Sequence, residues 1–191
     1  MSSNSRSAFP HSLGISKSLD ISASASIVWA LLVDVDSYPN HLSTCMSVRV
    51  YQPHPTNRRN PRGSSNASQN VGSVKAGSKW VEVRQFKGRT YKMLVSTTAV
   101  DNEEDDPKSF TVATDALGST STATHTLTTI DERSCRLSLS YGIVPHRWWS
   151  QIYFACFKRI LRKDCLEALE HDLADIAKAA VAVATGQDEA R

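Results

Sequence analysis

The chain of 191 residues has no uninterrupted apolar stretch near the roughly 20 residues that a membrane-spanning helix requires, which argues against a membrane protein. Its first residues, Met1 to Gly14, lack the apolar segment of a secretory signal and read as a Ser-rich leader with one Arg. An intracellular protein is expected, cytoplasmic by default, with an organellar address left open. Cysteine is sparse: Cys45, Cys135, Cys156 and Cys165 form no C-x-x-C pair, and none stands at zinc-finger distance from a His. They read as small buried hydrophobes in a reducing compartment, and no metal site is expected. Without a secretory route, Asn66-Ala67-Ser68 is a chance match to a glycosylation acceptor. There is no H-E-x-x-H, no glycine-rich phosphate loop and no Ser/His/Asp order, so no cofactor is implied. The net charge of +3 is too small to imply a nucleic-acid partner.

What is present suits one domain, since 40% hydrophobic residues can supply a single substantial core. The reading is a disordered leader over 1–14, one domain over 15–183 and a disordered tail over 184–191, with no internal repeat. A Pro/Asn/Ser/Gly-rich insertion over 52–75 carries Arg58, Arg59, Arg62 and Lys75 with no acid. It has too few apolar residues to offset the entropy of ordering it and is expected to be mobile. Asp101 to Lys108 has the opposite sign and reads as a solvated turn.

The pattern of the chain ends on its strongest signal. From about Arg147 to about Ala182 one long amphipathic helix is expected, with Trp149, Ile152, Tyr153, Cys156, Phe157, Ile160, Leu166, Leu169, Leu173, Ile176 and Ala180 as its buried stripe. Ahead of it, Lys17 to Ile21 alternates as a first strand. A helix follows, capped by the hydroxyl of Ser24 or Ser26, with Ile27, Val28, Leu31 and Leu32 inward. Tyr38-Pro39-Asn40-His41 reads as a turn or second short helix, and Met46, Val48 and Val50 share one side of the next strand. Lys87-Gly88 signals a hairpin between Lys79 to Phe86 and Arg89 to Val100.

The last hairpin constrains itself. Thr122, Thr124, Thr126 and Thr128 form a water-tolerant face, and Ala123, His125 and Leu127 form the other. The apolar sets of this strand and the next share a face only if Leu127 opposes an odd-numbered residue such as Leu137, which asks for an odd-length turn around Asp131 to Arg133. His125 and Tyr141 then point inward, under the long helix. The architecture is α+β: a curved antiparallel sheet of about seven strands wrapped on a long C-terminal helix, with one or two short helices after the first strand.

Such a sheet gripping a helix leaves a cavity, and four polar residues bear on it. Trp80, Glu82 and Arg84 share one strand face, but alternation alone does not say which face is buried. Inward, Glu82 and Arg84 need each other or a polar ligand; outward, they are a surface pair worth about 0 to 1 kcal/mol. His125 and Tyr141 read as proton-transfer candidates or as hydrogen-bonded core residues. At the start of the long helix, Trp148 and Arg147 suit a membrane interface, with a solvated basic face carrying Lys158, Arg159, Arg162 and Lys163 as the alternative.

The order of elements, with Ile27-Val28-Trp29-Ala30-Leu31-Leu32, Asp34-Val35-Asp36-Ser37-Tyr38-Pro39 and Gly77 to Arg84, resembles the polyketide cyclase/dehydrase and lipid-transport families of the START-like (SRPBCC) superfamily. The likeness covers about Ser16 to Ala182 apart from the insertion. Many relatives carry Trp after the Tyr-Pro pair, where this chain has Asn40-His41. The resemblance implies the helix-grip fold and a deep, mostly apolar pocket between sheet and terminal helix. It leads to a carrier or sensor that binds an apolar small molecule or lipid, of polyketide, isoprenoid or aromatic type. The ligand would be held by Trp80, Glu82, Arg84, His125, Tyr141, Trp149, Tyr153 and Phe157. The alternative is a cofactor-free cyclase/dehydratase, a lyase or isomerase using His125 and Tyr141. A monomer making transient membrane contact completes the expectation.

Overall fold

The computed structural model describes residues 12–51, 74–101 and 106–189. The leader up to residue 11, residues 52–73 of the insertion, residues 102–105 of the acidic turn and residues 190–191 of the tail lie outside the described residues.

Seven strands form one antiparallel sheet: β1 (Leu13–Ile21), β2 (Cys45–Tyr51), β3 (Lys79–Phe86), β4 (Arg89–Val100), β5 (Lys108–Ala116), β6 (Ser119–Asp131) and β7 (Ser134–Pro145). Their spatial order is β1-β7-β6-β5-β4-β3-β2, so β2 through β7 is an unbroken meander and β1 joins its far edge. The expected hairpin at Lys87-Gly88 is present, and its two residues take φ of 50° and 73°, the left-handed pair that matches the twist of flanking strands. Leu117-Gly118 does the same between β5 and β6.

Leu127 pairs directly with Leu137, the register that alternation demanded. The turn itself differs from expectation. Asp131 pairs with Ser134 across a two-residue turn, and the register shifts between Thr129 and Asp131 instead. A bulge at Ile130 absorbs the odd residue and leaves that side chain 50% exposed. A second irregularity between Cys45 and Ser47 turns Met46 out of line with Val48 and Val50, so Met46 is exposed rather than inward. A third lies between Thr97 and Ala99. Bulges bend strands, and these three help the sheet curve.

Helix α1 (Ala25–Val33) and the short α2 (Tyr38–His41), joined by a 3-10 turn over Val35–Ser37, follow β1. Val28, Trp29 and Leu32 are the buried residues of α1, while Ile27 and Leu31 are half-buried. No serine side chain caps α1: the Ser24 and Ser26 hydroxyls bond each other at 2.9 Å, and the Ser24 carbonyl accepts from the amides of Ile27 and Val28. Tyr38 is buried and donates its hydroxyl to the Leu32 carbonyl at 2.7 Å, pinning α2 to α1.

Helix α3 (Trp148–Glu189) has 42 residues, about 60 Å of helix, and continues past the expected end at Ala182. Its start is held by Gly118, whose carbonyl accepts from the amides of His146 and Arg147 and from the Ser150 hydroxyl. Ser150 also accepts from the Arg147 amide at 3.2 Å, the reach-back half of a capping box. The buried stripe is only half as long as the pattern suggested. Leu169, Leu173, Ile176 and Ala180 pack into the core, but Trp149, Ile152, Tyr153, Cys156, Phe157 and Ile160 are all exposed. From Ile160 the next apolar residue of the series is Leu166, six positions on, which turns the apolar direction by about 240° at roughly 100° per residue. One stripe is therefore two, on different faces. In the first half it is Ser150 and Phe154 that are buried.

The core lies between the concave face of the sheet, α1 and the second half of α3. Trp80, Phe110, Leu127, Leu137 and Cys135 from the strands and Val28 and Leu32 from α1 are almost completely enclosed. Burial holds the thiols of Cys45, Cys135 and Cys165 up at about 11, whereas Cys156 is exposed, contrary to the reading of all four as buried.

Candidate functional site

Strand β3 settles the question its alternation left open: Trp80 and Glu82 face the interior, at 2% and 4% exposure, and Arg84 follows them. A carboxylate so far from water is costly unless its oxygens are satisfied. Both are. The Trp80 indole donates to Glu82 Oε2 at 3.3 Å, and Arg84 Nε donates to Glu82 Oε1. From the helix side, Asp172 meets the same guanidinium, with Arg84 Nη1 donating to Asp172 Oδ2 at 2.6 Å. Thr44, just before β2, closes the ring: its hydroxyl accepts from Arg84 Nη1 and donates to Asp172 Oδ1, each at 3.1 Å. Desolvation works against the charge of Arg84, but Asp172 and Glu82 together outweigh it and hold the guanidinium firmly protonated. Nη2 of Arg84 makes no hydrogen bond among the described residues, leaving two N–H donors for another partner.

His125 of β6 enters the same interior. Its ring stacks on Phe110 of β5 with centroids 4.3 Å apart and planes 5° apart, and Phe110 meets Trp29 edge-on. Burial first, and the positive charge of Arg84 second, push the His125 pKa down to about 4, so the imidazole is neutral at pH 7. Its Nδ1 is buried without a partner among the described residues, and so is Nε2 of His41. Both histidines line a small cavity of about 20 Å³ together with Arg84, Asp172 and Tyr38, closed by Leu31, Leu32, Leu42 and Ile176. That is room for about one water. The interior is thus a polar nest in an apolar frame rather than the deep apolar pocket that the resemblance implied.

No family model matches the chain, and no curated protein sequence matches it either. Solved structures do. The Zhui aromatase/cyclase from Streptomyces sp. R1128 superposes with a TM-score of 0.66 at 12% identity, over 89% of this chain and 94% of that one. A START superfamily protein from Mycobacterium smegmatis gives 0.62 at 10% identity, over 89% and 98%. Norcoclaurine synthase from Thalictrum flavum, in complex with dopamine and hydroxybenzaldehyde, gives 0.59 at 15% identity, over 89% and 87%. The chain has the START-like helix-grip fold.

Within that helix-grip frame the residues singled out from sequence separate into three groups. Trp80, Glu82, Arg84 and His125 come together between sheet and α3. Tyr141 of β7 is half-buried beside Ser121 and Cys165, its hydroxyl pKa raised by burial, and does not line the small cavity. Trp149 and Tyr153, at 44% and 48% exposure, turn away from the side of α3 that buries Ser150 and Phe154, and Phe157, at 44%, stands in the stretch 155–160, where every residue is exposed. Trp148 is 74% exposed at the helix entry, as its position suggested, and Arg147 is exposed beside it.

Asp172, Thr44, His41 and Phe110 were missed. For Asp172 a signal exists in the sequence. It stands three residues after Leu169, one before Leu173 and four before Ile176, in phase with the buried stripe, and a carboxylate there asks for an inward cation. Nothing local marks Thr44 or Phe110, whose partners are remote in sequence, while His41, which contacts Ser37 and Tyr38 close by, stood out only as a departure from the Trp of many relatives.

Proposed function

We propose that the chain binds an oxygen-bearing apolar small molecule, of polyketone or phenol type, between sheet and α3, and acts on it as a cyclase or dehydratase. The observation that carries this reading is Arg84, fixed between Glu82 and Asp172, beside a neutral His125: among the described residues, Arg84 Nη2 and His125 Nδ1 have no hydrogen-bond partner. A passive carrier of hydrocarbon has no use for so costly a group. A ketone oxygen does. The likeness in fold to an aromatase/cyclase and to norcoclaurine synthase accords with such chemistry without naming a substrate.

In this reading neutral His125 accepts a proton from a carbon flanked by two carbonyls. The resulting carbanion attacks a second carbonyl carbon of the same molecule, a carbon–carbon bond forms, and the carbonyl electron pair moves to oxygen. Arg84 Nη2 holds that alkoxide, which takes the proton back from His125. Loss of the new hydroxyl with a neighbouring C–H proton releases water and consumes no cofactor. The negative charge of the carbanion opposes the effect of Arg84 and raises the basicity of His125 when it is needed. The enclosed space is about 20 Å³, so binding requires α3 to move away from Leu31 and Leu42.

Calorimetric titration with a hydroxylated anthraquinone and with anthracene tests the binding step. The oxygenated ligand is expected to bind at least tenfold more tightly, and Arg84→Met to remove that preference. Equal affinity for the hydrocarbon would return the carrier reading to first place.

A further inference from the structure

The first half of α3 presents a surface that the interior does not use. Trp148, Trp149, Ile152, Tyr153, Phe157 and Ile160 are between 44% and 74% exposed, while Phe154 is buried. A contiguous apolar face of this kind on a folded domain marks a contact surface. Its charge is one-sided. From Arg147 to Lys163 the helix carries Arg147, Lys158, Arg159, Arg162 and Lys163 and no acid. None of these five forms an ion pair among the described residues, whereas Lys17, Arg84, Lys87 and Arg136 all do. Arg159, Arg162 and Lys163 line a surface depression of about 350 Å³, and its two carboxylates, Glu167 and Glu170, are already paired with Lys87 and Lys17.

The geometry points to this half of α3 as a docking face for an anionic lipid bilayer. The aromatic side chains seat at the boundary of headgroup and acyl chain, and Arg159 and Lys163, at the edge of that face, engage lipid phosphates. A bilayer supplies an apolar layer and a continuous anionic plane along one helix face about 20 Å long, which is what an interfacial amphipathic helix needs. No described helix is long and apolar enough to cross the membrane, so the contact is lateral. This surface is independent of Arg84 and His125, and delivers an apolar ligand to the fold whether or not the fold then acts on it.

The test is co-sedimentation of the full chain with vesicles of equimolar phosphatidylcholine and phosphatidylserine, against phosphatidylcholine alone, with tryptophan emission as a second readout. Trp29 and Trp80 are buried, so a blue shift reports on Trp148 and Trp149. Binding to the anionic vesicles is expected to exceed binding to the neutral ones by at least tenfold. Trp148→Ser with Ile152→Ser, and separately Arg159→Glu with Lys163→Glu, should each lower it by at least tenfold. His125→Ala should leave it unchanged, which separates this surface from the proposed chemistry. Equal binding to both vesicles, or none to either, overturns the proposal. So does a dimer in sedimentation velocity that Trp148→Ser with Ile152→Ser dissociates while anionic vesicles stay unbound, since the face is then a contact between copies of the chain.

Discussion

Asp172 of α3 accepts a 2.6 Å hydrogen bond from Arg84 of β3, tying the second half of the helix to the sheet through a charged pair. Their side chains are 17% and 21% exposed, so the pair is enclosed without being sealed. Removing one member leaves the other charge short of a partner. Asp172→Ala is expected to destabilise the fold by about 2 kcal/mol, below the usual cost of breaking a fully buried pair because water reaches this one. Asp172→Asn, which keeps one acceptor for Arg84, should lose less. Urea denaturation of both variants checks the order.

His125 makes stability depend on pH. Its pKa is about 4 in the fold and near 6.5 in a free chain, so between those values the unfolded state binds a proton that the folded state refuses. Stability therefore rises with pH through that window, by on the order of 3 kcal/mol in all, and the effect levels off outside it. His41, also depressed by burial, adds a smaller term of the same sign. His125→Gln should remove most of the slope between pH 4 and 6.5, as read by thermal melts across that range.

At the entry to α3, Gly118 takes φ of +68°, and a Cβ there would lie 2.6 Å from Arg147 Cγ and 2.9 Å from Trp149 Cζ2. Arg147 Cβ follows at 3.0 Å, and both Arg147 atoms lie next to the backbone of the helix entry, so the clash adds to the backbone term. Gly118→Ala is expected to cost more than the about 1 to 2 kcal/mol of the left-handed backbone alone, while Gly14→Ala, with nothing within 4 Å of its Cβ, should be nearly neutral. Chemical denaturation of the two variants makes the comparison.

Much of the fold was legible because alternation and turn chemistry act locally. Leu127 opposite Leu137 follows from period-two patterning, and Lys87-Gly88 from the left-handed turn a hairpin needs. The bulges at Met46 and Ile130 were not legible, since an extra residue in a strand leaves no mark on composition. The stripe of α3 was overread for a different reason: its steps of three and four were followed across the six-residue gap from Ile160 to Leu166, where the helix changes face. The candidate site was visible in part. Glu82, Arg84 and His125 stood out as polar residues on strands; the helical phase of Asp172 marks it as inward, but its pairing with Arg84, 88 positions earlier in the chain, is beyond any local pattern.

The central claim is that Arg84 and His125 together perform proton transfer on a bound ketone, and turnover tests it most directly. A linear aryl triketone is incubated with the wild type, His125→Ala and Arg84→Met, and mass spectrometry follows loss of one water per molecule. The account expects conversion by the wild type and at least a hundredfold loss in His125→Ala, with binding of the triketone retained. Arg84→Met is expected to lose both. Binding without conversion in the wild type, or conversion that survives His125→Ala unchanged, would contradict it.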